Sequence, residues 1–482
     1  MTRRILHVGV ALLLIYVLLF VQLELIQVVQ AGTLRDHSLN TREITMVFDA
    51  PRGSIRTADG ETVAETVSVS GARPRLRQYP YGSLYSHLVG FITAQHGGSG
   101  LERSQNDFLA GNDLGVRIQD TRDLFVDRAR TGQLELSVRH DVQLVARAAL
   151  AGHRGAAVVI DPSSGAVLAM WSSPHFDPNY LSSHDLAAVG NDFAALNSDE
   201  EGALTNRADS QLSEVGAIFT AVTAAAAIEA GLTDLKVPLS NEILTEISTE
   251  LIKNKGNRTC GGDLTSLLLA NCRTGWATIG LDLGRSDLRN RFRNFGLAES
   301  VSTDAAIHLN GLLTPDEVDL SAAHAAAGIG VQLSPLHVAH LFATIANDGL
   351  RVRPRVVNQV TSHDGSVIRD FTPELLGQVI APETASKLRA MLAANVKQGN
   401  AQGLALDDVE VAGILASGFT DNPHVWATAL APVTQPELAI AVLLEGDEFS
   451  DSQVAETVVA RITRSIIEAV LRLPSSNLEG TQ

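Results

Sequence analysis

The serines and lysines of this chain never stand at the spacing that activates a serine for acyl transfer. On a helix, a lysine three positions after a serine lies on the same face, where its amine can take the hydroxyl proton as the serine attacks a carbonyl. The chain of 482 residues contains five lysines. The residues three positions before them are Thr233, Glu250, Ile252, Thr384 and Ala394. No alignment register therefore supplies a Ser-x-x-Lys.

The sequence nonetheless predicts a helix of the kind that would present such a serine. Residues 213–231 enter an alanine-rich, apolar run through Gly216 and leave it at Gly231, which is typical of a buried helix. The first turn of this helix carries Ala217 and Thr220. Alanine has no oxygen to attack a carbonyl, and threonine has no amine to act as a base. A buried helix whose threonine bonds back to its own turn accounts for these residues.

Composition excludes several classes of function. With 45% hydrophobic residues, the chain is long enough for one large domain and a smaller one. Its net charge of -17, without a compensating basic run, argues against a nucleic-acid partner. Two cysteines cannot supply the four ligands of a structural zinc site. We therefore predict neither a metal nor a cofactor.

The N-terminus predicts a membrane anchor. After two arginines, residues 5–21 are apolar apart from His7, and the run continues to residue 29 with Glu24 as its only acid or base. Such a run roughly spans the ~30 Å hydrocarbon core, and the arginines place the N-terminus in the cytoplasm. We expect a single pass through the plasma membrane with the bulk of the chain extracytoplasmic. The alternative is a secretory signal cleaved after residue 31.

The two cysteines fit an exported chain. Both alternatives export everything after about residue 31, and disulfides persist in that compartment. Cys260 and Cys272 lie twelve residues apart. A disulfide between them is favoured over two free thiols.

The strand and helix patterns predict an α+β fold. Residues 155–171 form two apolar runs around the turn residues 161–165, which predicts a β-hairpin, and residues 424–445 repeat the pattern. One face of a long C-terminal helix is marked by Val454, Val458, Ile462, Ile466 and Val470. Strands at both ends with helices between them predict an antiparallel sheet flanked by helices.

Short motifs along the chain resemble those of class B penicillin-binding proteins. Residues 51–60 and 100–111 are similar to the Arg-Gly-x-Ile and Gly-Leu-Glu segments of the family's juxtamembrane pedestal. Residues 31–42 are closest to the actinobacterial penicillin-binding protein A subgroup. Residues 173–179 and 204–208 resemble segments of the transpeptidase domain.

This resemblance implies a penicillin-binding, serine β-lactamase-like transpeptidase fold with an N-terminal transmembrane helix and a small pedestal. The implied division is cytoplasmic residues 1–4, transmembrane anchor 5–30, pedestal or dimerisation-like domain 31–133, transpeptidase-like domain 134–472 and tail 473–482.

All three catalytic signatures implied by the resemblance are changed. Aligned through Gly216 and Gly413, the Ser-x-x-Lys, Ser-x-Asn and Lys-Thr/Ser-Gly positions hold Ala217 and Thr220, then Asn271, Cys272 and Arg273, then Ile414, Leu415 and Ala416. Arg273 and Ser417 are the candidate cleft residues. Arg273 either holds a ligand carboxylate or forms a salt bridge with a neighbouring acid.

From these losses we predict a protein that is not an enzyme. It would be a pseudo-transpeptidase, a membrane-anchored scaffold or regulator of peptidoglycan synthesis in cell division or cell shape. The resemblance implies cell-wall synthesis proteins as partners: a glycan polymerase, divisome or elongasome proteins, an active paralogue, and peptidoglycan itself.

Two alternatives remain open. The first is an active D,D-transpeptidase with a rearranged site, using Ser213 or Ser417 activated by a group such as His424. The second is a noncovalent sensor of muropeptides or β-lactams that uses Arg273 and the remaining cleft.

Overall fold

The computed structural model describes residues 2–25, 50–71, 73–117, 130–245, 251–297, 301–302, 308–309, 321–418, 424–445, 449 and 452–472. Parts of the predicted anchor (26–30) and pedestal (31–49, 72 and 118–129), and the whole of the predicted tail (473–482), lie outside the described residues.

The strands of the described residues are two to seven residues long. In chain order they are β1 (Ile55–Arg56), β2 (Thr62–Ser68), β3 (Arg75–Gln78), β4 (Ile92–Thr93), β5 (Gly97–Gly98), β6 (Gln133–Leu136), β7 (Gly155–Ile160), β8 (Val167–Ser173), β9 (Ser213–Glu214), β10 (Val237–Ser240), β11 (Glu242–Leu244), β12 (Leu251–Lys253), β13 (Cys260–Gly262), β14 (Val301–Ser302), β15 (His308–Leu309), β16 (Gln332–Leu333), β17 (Leu350–Val352), β18 (Val357–Thr361), β19 (Val367–Asp370), β20 (Leu375–Gln378), β21 (Ala412–Ser417), β22 (Val425–Ala431) and β23 (Leu438–Leu444).

The helices alternate with these strands. They are α1 (Thr2–Glu24), α2 (Gly100–Ser104), α3 (Asn106–Leu109), α4 (Leu114–Arg117), α5 (His140–Ala149), α6 (Leu186–Asn197), α7 (Thr220–Glu229), α8 (Leu264–Leu269), α9 (Arg273–Leu283), α10 (Arg285–Asn294), α11 (Ala322–Ala326), α12 (Pro335–Ala346), α13 (Pro382–Gln398) and α14 (Ser452–Leu471). Within the part of the chain that the structure describes, no helix meets the combined length and hydropathy needed to cross a membrane.

A five-stranded antiparallel sheet forms the centre of the fold, with strand order β21-β22-β23-β7-β8. The two predicted hairpins supply β7 with β8 and β22 with β23. The central pairing of β23 with β7 then joins residues nearly 300 positions apart, such as Ile440 and Val159. Every residue of β7, β22 and β23 is buried, because helices α5, α12 and α14 pack against the sheet.

A second sheet joins the N-terminal strands to the rest of the chain. Its order is β19-β18-β6-β1-β2-β3, and β1 and β6 pair in parallel. β6 is also hydrogen-bonded to β18, in antiparallel orientation. Residues 55–78 therefore share one sheet with residues 357–370.

A buried ionic cluster holds these N-terminal strands to α2. Arg52 Nε lies 2.5 Å from Glu102 Oε2, and Arg77 Nε lies 2.6 Å from Glu102 Oε1. The hydroxyl of Tyr79 also donates to Glu102 Oε1, at 3.3 Å. Burial alone would raise the pKa of Glu102, yet the two guanidinium groups hold it below its ordinary value. Residues of the two predicted pedestal motifs, 51–60 and 100–111, thus meet in this ionic cluster.

The α+β prediction is confirmed, but the start of the predicted helix at residues 213–231 differs. Ser213 and Glu214 form β9, which pairs with β16. Residues Gly216–Phe219 form a 3₁₀ turn, and α7 begins at Thr220. The strand partner of β9 lies more than 100 residues away, so local sequence periodicity could not reveal this pairing.

Candidate functional site

The turn at Gly216 leads into the buried helix α7. Gly216 has a φ of +52°, a conformation that a side chain disfavours. Ala217 follows with 8% of its surface exposed. The Thr220 hydroxyl donates to the Ala217 carbonyl at 2.6 Å, so its hydrogen bond lies within its own turn. This turn presents the backbone and a methyl group to its surroundings.

The strand β21 lies at the edge of the central sheet and packs against the Gly216–Phe219 turn. The side chains of Ile414, Leu415 and Ala416 are buried in the core. At the positions aligned with Lys-Thr-Gly, this strand therefore contributes packing rather than charge.

The backbone of β21 offers a hydrogen-bond donor at its outer edge. The carbonyls of Gly413 and Leu415 accept from the side-chain amides of Asn395 and Asn400, at 3.0 and 3.3 Å, so both point away from β22. Backbone groups alternate in direction along a strand, and the Ser417 N–H therefore points to the same outer side. An N–H in this position can stabilise negative charge on a carbonyl oxygen during acyl transfer.

Glu214 links three parts of the structure around this edge. Its carboxylate Oε1 accepts from the Gly330 N–H at 2.8 Å, and its carbonyl accepts from Trp426 Nε1 at 3.0 Å. A methyl group built on Gly418 would lie 3.4 Å from Glu214 Oε2. The carboxylate therefore lies between the loop that follows α11 and the end of β21.

Arg273 is a half-buried cation at the start of α9. Burial lowers the pKa of its guanidinium group, and the Glu214 carboxylate opposes that shift. Glu214 is thus the acidic residue that interacts electrostatically with Arg273. The two preceding residues form a rigid turn, because Asn271 has a φ of +48° and Cys272 is joined to Cys260 by a disulfide.

The candidate nucleophiles differ in their accessibility. Ser213 is 2% exposed, and its hydroxyl has no hydrogen-bond partner among the described residues. It precedes Glu214 in an extended segment, so its side chain points to the opposite side. Ser417 is half-buried at the end of β21. The Gly418 N–H donates to the His424 carbonyl at 3.0 Å, which places His424 beside this strand end. Val425 is the residue opposite Ser417, and His424 lies opposite Gly418, so the side chains of Ser417 and His424 lie on opposite faces of the strand pair, and Ser213 lies in the core.

Sequence reasoning missed Glu214, Gly330 and Trp426. The available signal was the charge of Glu214 two residues before Gly216, where the apolar run begins. Its partners come from segments more than 100 residues away, and no short motif connects them. Among the described residues, no group of His, Cys, Asp and Glu side chains is placed to hold a metal ion.

Two family models match the chain. The model described as the penicillin binding protein transpeptidase domain matches residues 155–464. The model described as the penicillin binding protein A dimerisation domain matches residues 52–134.

Relatives of similar length match nearly the whole chain. A protein from Mycolicibacterium smegmatis named peptidoglycan D,D-transpeptidase PbpA is 33% identical over 97% of this chain and 98% of its own length. The Mycobacterium tuberculosis protein of the same name is 30% identical over the same shares. The solved structure of penicillin-binding protein A from M. tuberculosis, as an imipenem acyl-enzyme complex, aligns with a TM-score of 0.79 and 29% identity over 88% of this chain and 99% of that one.

These comparisons contradict the prediction that the chain is a pseudo-transpeptidase scaffold or regulator and not an enzyme. The relatives that match over almost their full length are named as transpeptidases. The prediction is wrong because it equated the loss of three motifs with the loss of chemistry. A sequence motif is one way of bringing together a hydroxyl, a base and oxyanion donors. Acyl transfer itself requires only that such groups meet in a cleft. The alternative of an active transpeptidase with a rearranged site is better supported.

Proposed function

Because the chain belongs to the class B penicillin-binding proteins, we propose that it acts as a peptidoglycan D,D-transpeptidase through a rearranged site. The observation that carries this proposal is the similarity to named D,D-transpeptidases over 97% of the chain. The outward Ser417 N–H opposite the Ala217 turn supports it, because a backbone oxyanion donor does not depend on the side chains that differ.

Ser417 is the nucleophile of this proposal, and its base is a group other than His424, whose side chain lies on the other face of the strand pair. The Ser417 oxygen bonds to the carbonyl carbon of the penultimate D-Ala, and the bond from that carbon to the nitrogen of the terminal D-Ala breaks. The hydroxyl proton passes through a general base to the departing amine. An acceptor amine then attacks the ester, forms the new amide and restores the Ser417 hydroxyl. The burial of Ser213 argues against that serine in this role.

Covalent labelling with a fluorescent penicillin tests the proposal. The full-length chain should take up label, and mass spectrometry of its peptides should find the acyl group on Ser417. Ser417→Ala should abolish labelling, whereas the matched variant Ser213→Ala should keep it. A chain that takes up no more label than its heat-denatured control would refute the proposed activity.

We also propose the membrane topology and domain division given by the sequence, with residues 5–30 as a single-pass anchor and peptidoglycan-synthesis proteins as partners. The support is the apolar run at residues 5–21, and the two family models that match residues 52–134 and 155–464. Alkaline carbonate extraction should leave the chain in the membrane fraction. Release into the supernatant, with the N-terminus beginning near residue 32, would instead identify a cleaved signal.

A further inference from the structure

Helix α10 carries three arginines along one of its sides, at a spacing of four residues. Arg285, Arg289 and Arg293 follow one another at this spacing from the first turn of the helix to the last. Side chains four positions apart are neighbours on a helix, about 6 Å from one to the next. These three residues form the arginine ridge, which offers a cation roughly every 6 Å over a length of about 12 Å.

The packing of α10 leaves the arginine ridge facing solvent. Leu288 is 1% exposed and packs against helices α7 and α11. The centre of the Phe292 ring lies 4.6 Å from that of Phe219, in the turn that precedes α7. These two residues hold one side of α10 against the core. The ridge lies beside that buried side, and its first and last members are exposed, whereas the middle one is partly exposed.

The acidic residues around α10 do not neutralise the ridge. Asp287 lies 3.8 Å from Arg291, the fourth arginine of the helix, and Arg291 also lies 3.7 Å from Glu229. Both acids therefore pair with an arginine outside the ridge. Among the described residues, Arg289 and Arg293 have no ion-pair partner. With four arginines and one aspartate, α10 has a net charge of +3 in a chain whose net charge is -17.

The stability of the helix does not account for the ridge. Like charges four residues apart repel each other on a helix. A cation in the first turn, such as Arg285, also opposes the helix dipole. At the other end, the carbonyl of Asn294 accepts from Arg351 Nη1 at 2.9 Å. A cation other than Arg293 thus already meets the carbonyl end of the helix, and the ridge points to a role outside the fold.

The exposed residues around the ridge indicate which ligand it fits. Arginine binds phosphate through two parallel N–H groups. Ser286, Asn290 and Asn294 are also exposed, so every exposed side chain on α10 is polar. A folded protein partner would need apolar or aromatic anchors, and nucleobases would need an exposed aromatic ring to stack on. A phosphate polymer needs neither, because its affinity comes from charge.

The net charge of the chain limits the shape of this ligand. Exposed charges more than about 8–10 Å apart are largely screened at physiological salt. A thin polymer that lies along the ridge therefore interacts mainly with the arginines. A membrane surface or a nucleic-acid duplex would instead bring many phosphates close to the acidic remainder of the chain. The charge distribution thus favours a linear polymer over a wide anionic surface.

We propose that the arginine ridge of α10 binds a linear phosphodiester polymer through its phosphates. Because Phe292 of the same helix contacts Phe219, the bound polymer lies on the helix that packs against the Gly216–Phe219 turn. Binding holds this part of the chain against a phosphate-bearing polymer and involves no covalent step. It goes beyond the proposed acyl transfer and does not depend on it.

Fluorescence anisotropy of an end-labelled glycerol phosphate oligomer, titrated with the full-length chain at several salt concentrations, tests the proposal. For single-stranded polyanions, each neutralised phosphate contributes about 0.7 to the slope of log K against log salt. Arg289→Gln with Arg293→Gln should therefore reduce the slope by about 1.4. A fourfold increase in salt should then weaken binding to the wild type by about sevenfold more than binding to the double variant.

A matched control separates the ridge from the overall charge. Arg103→Gln with Arg258→Gln removes the same charge from two exposed arginines outside α10, and should keep the affinity and the slope of the wild type. Equal slopes for the wild type and the ridge variant would overturn the proposal, as would equal losses in the ridge variant and the control.

A poly-L-glutamate oligomer of the same charge tests the class of the ligand. It should bind more weakly than the glycerol phosphate oligomer, and equal or tighter binding would overturn the proposal in favour of an acidic protein segment. If the double ridge variant does not fold, the single variants Arg289→Gln and Arg293→Gln decide. Each should reduce the slope by about 0.7, and an unchanged slope in both would refute binding at the ridge.

Discussion

Removing the Glu102 carboxylate should destabilise the N-terminal strands far more than removing a surface carboxylate. Glu102 is fully buried between Arg52 and Arg77, whose side chains are 9% and 4% exposed. Glu102→Ala leaves two desolvated guanidinium groups without a counter-ion. Breaking a buried ion pair from one side typically costs about 3–5 kcal/mol. A loss of about 3 kcal/mol accelerates exchange of amides that open with this cluster by roughly a hundredfold.

Hydrogen-exchange mass spectrometry on the full-length chain measures this effect locally. Peptides covering β3 and α2 should exchange much faster in Glu102→Ala, and those covering β22 and β23 should change little. The matched control is Glu374→Ala, which breaks an exposed pair with Arg353 and should cost no more than about 1 kcal/mol. Equal exchange in the two variants would refute the reasoning, because it would mean that the buried carboxylate contributes no more than a surface one.

The pH dependence of stability should reveal one partly buried acid, and reduction should reveal the disulfide. Burial raises the pKa of Asp209 from 3.8 to about 7, so the folded chain holds a proton that the unfolded chain releases between these values, and stability falls as the pH rises through this window. Asp209→Asn should therefore unfold at a higher temperature than the wild type above pH 7 and at a similar temperature near pH 4; a constant difference across this range would contradict the assignment. Cys260→Ser with Cys272→Ser should lower the free energy of unfolding by about 3 kcal/mol, measured by denaturant titration, and a reductant should destabilise the wild type but leave the double variant unchanged. If the reductant affects both chains equally, the loss does not come from this bond.

Local turn chemistry made the central hairpins predictable. Residues 161–165 carry proline, serine and glycine between two apolar runs, and the structure places β7 and β8 on either side of them. The C-terminal helix α14 was predictable in the same way, from the apolar residues along one of its faces. In these elements the signal lies within about twenty residues, which is the distance over which periodicity can be recognised.

The candidate site was less predictable because its geometry depends on distant segments. Glu214 belongs to a strand whose partner is β16, and its carboxylate contacts Gly330 rather than a sequence neighbour. The outward direction of the Ser417 N–H follows from the pairing of β21 with β22 and not from the identity of Ser417. The sequence showed which side chains were missing from the motifs. It could not show which other groups the fold brings to the same place.

The order of strands in the second sheet determines when those strands can pair as the chain is synthesised. β6 ends at Leu136 and its partner β18 begins at Val357, about 220 residues later. At about 5–20 residues per second, the ribosome takes roughly 10 to 45 s to make the intervening chain. During that interval one edge of β6 has unpaired N–H and C=O groups, which are open to pairing with other chains. The N-terminal sheet is therefore completed late, and one hydrogen-bonding edge of β6 stays open until β18 has been made.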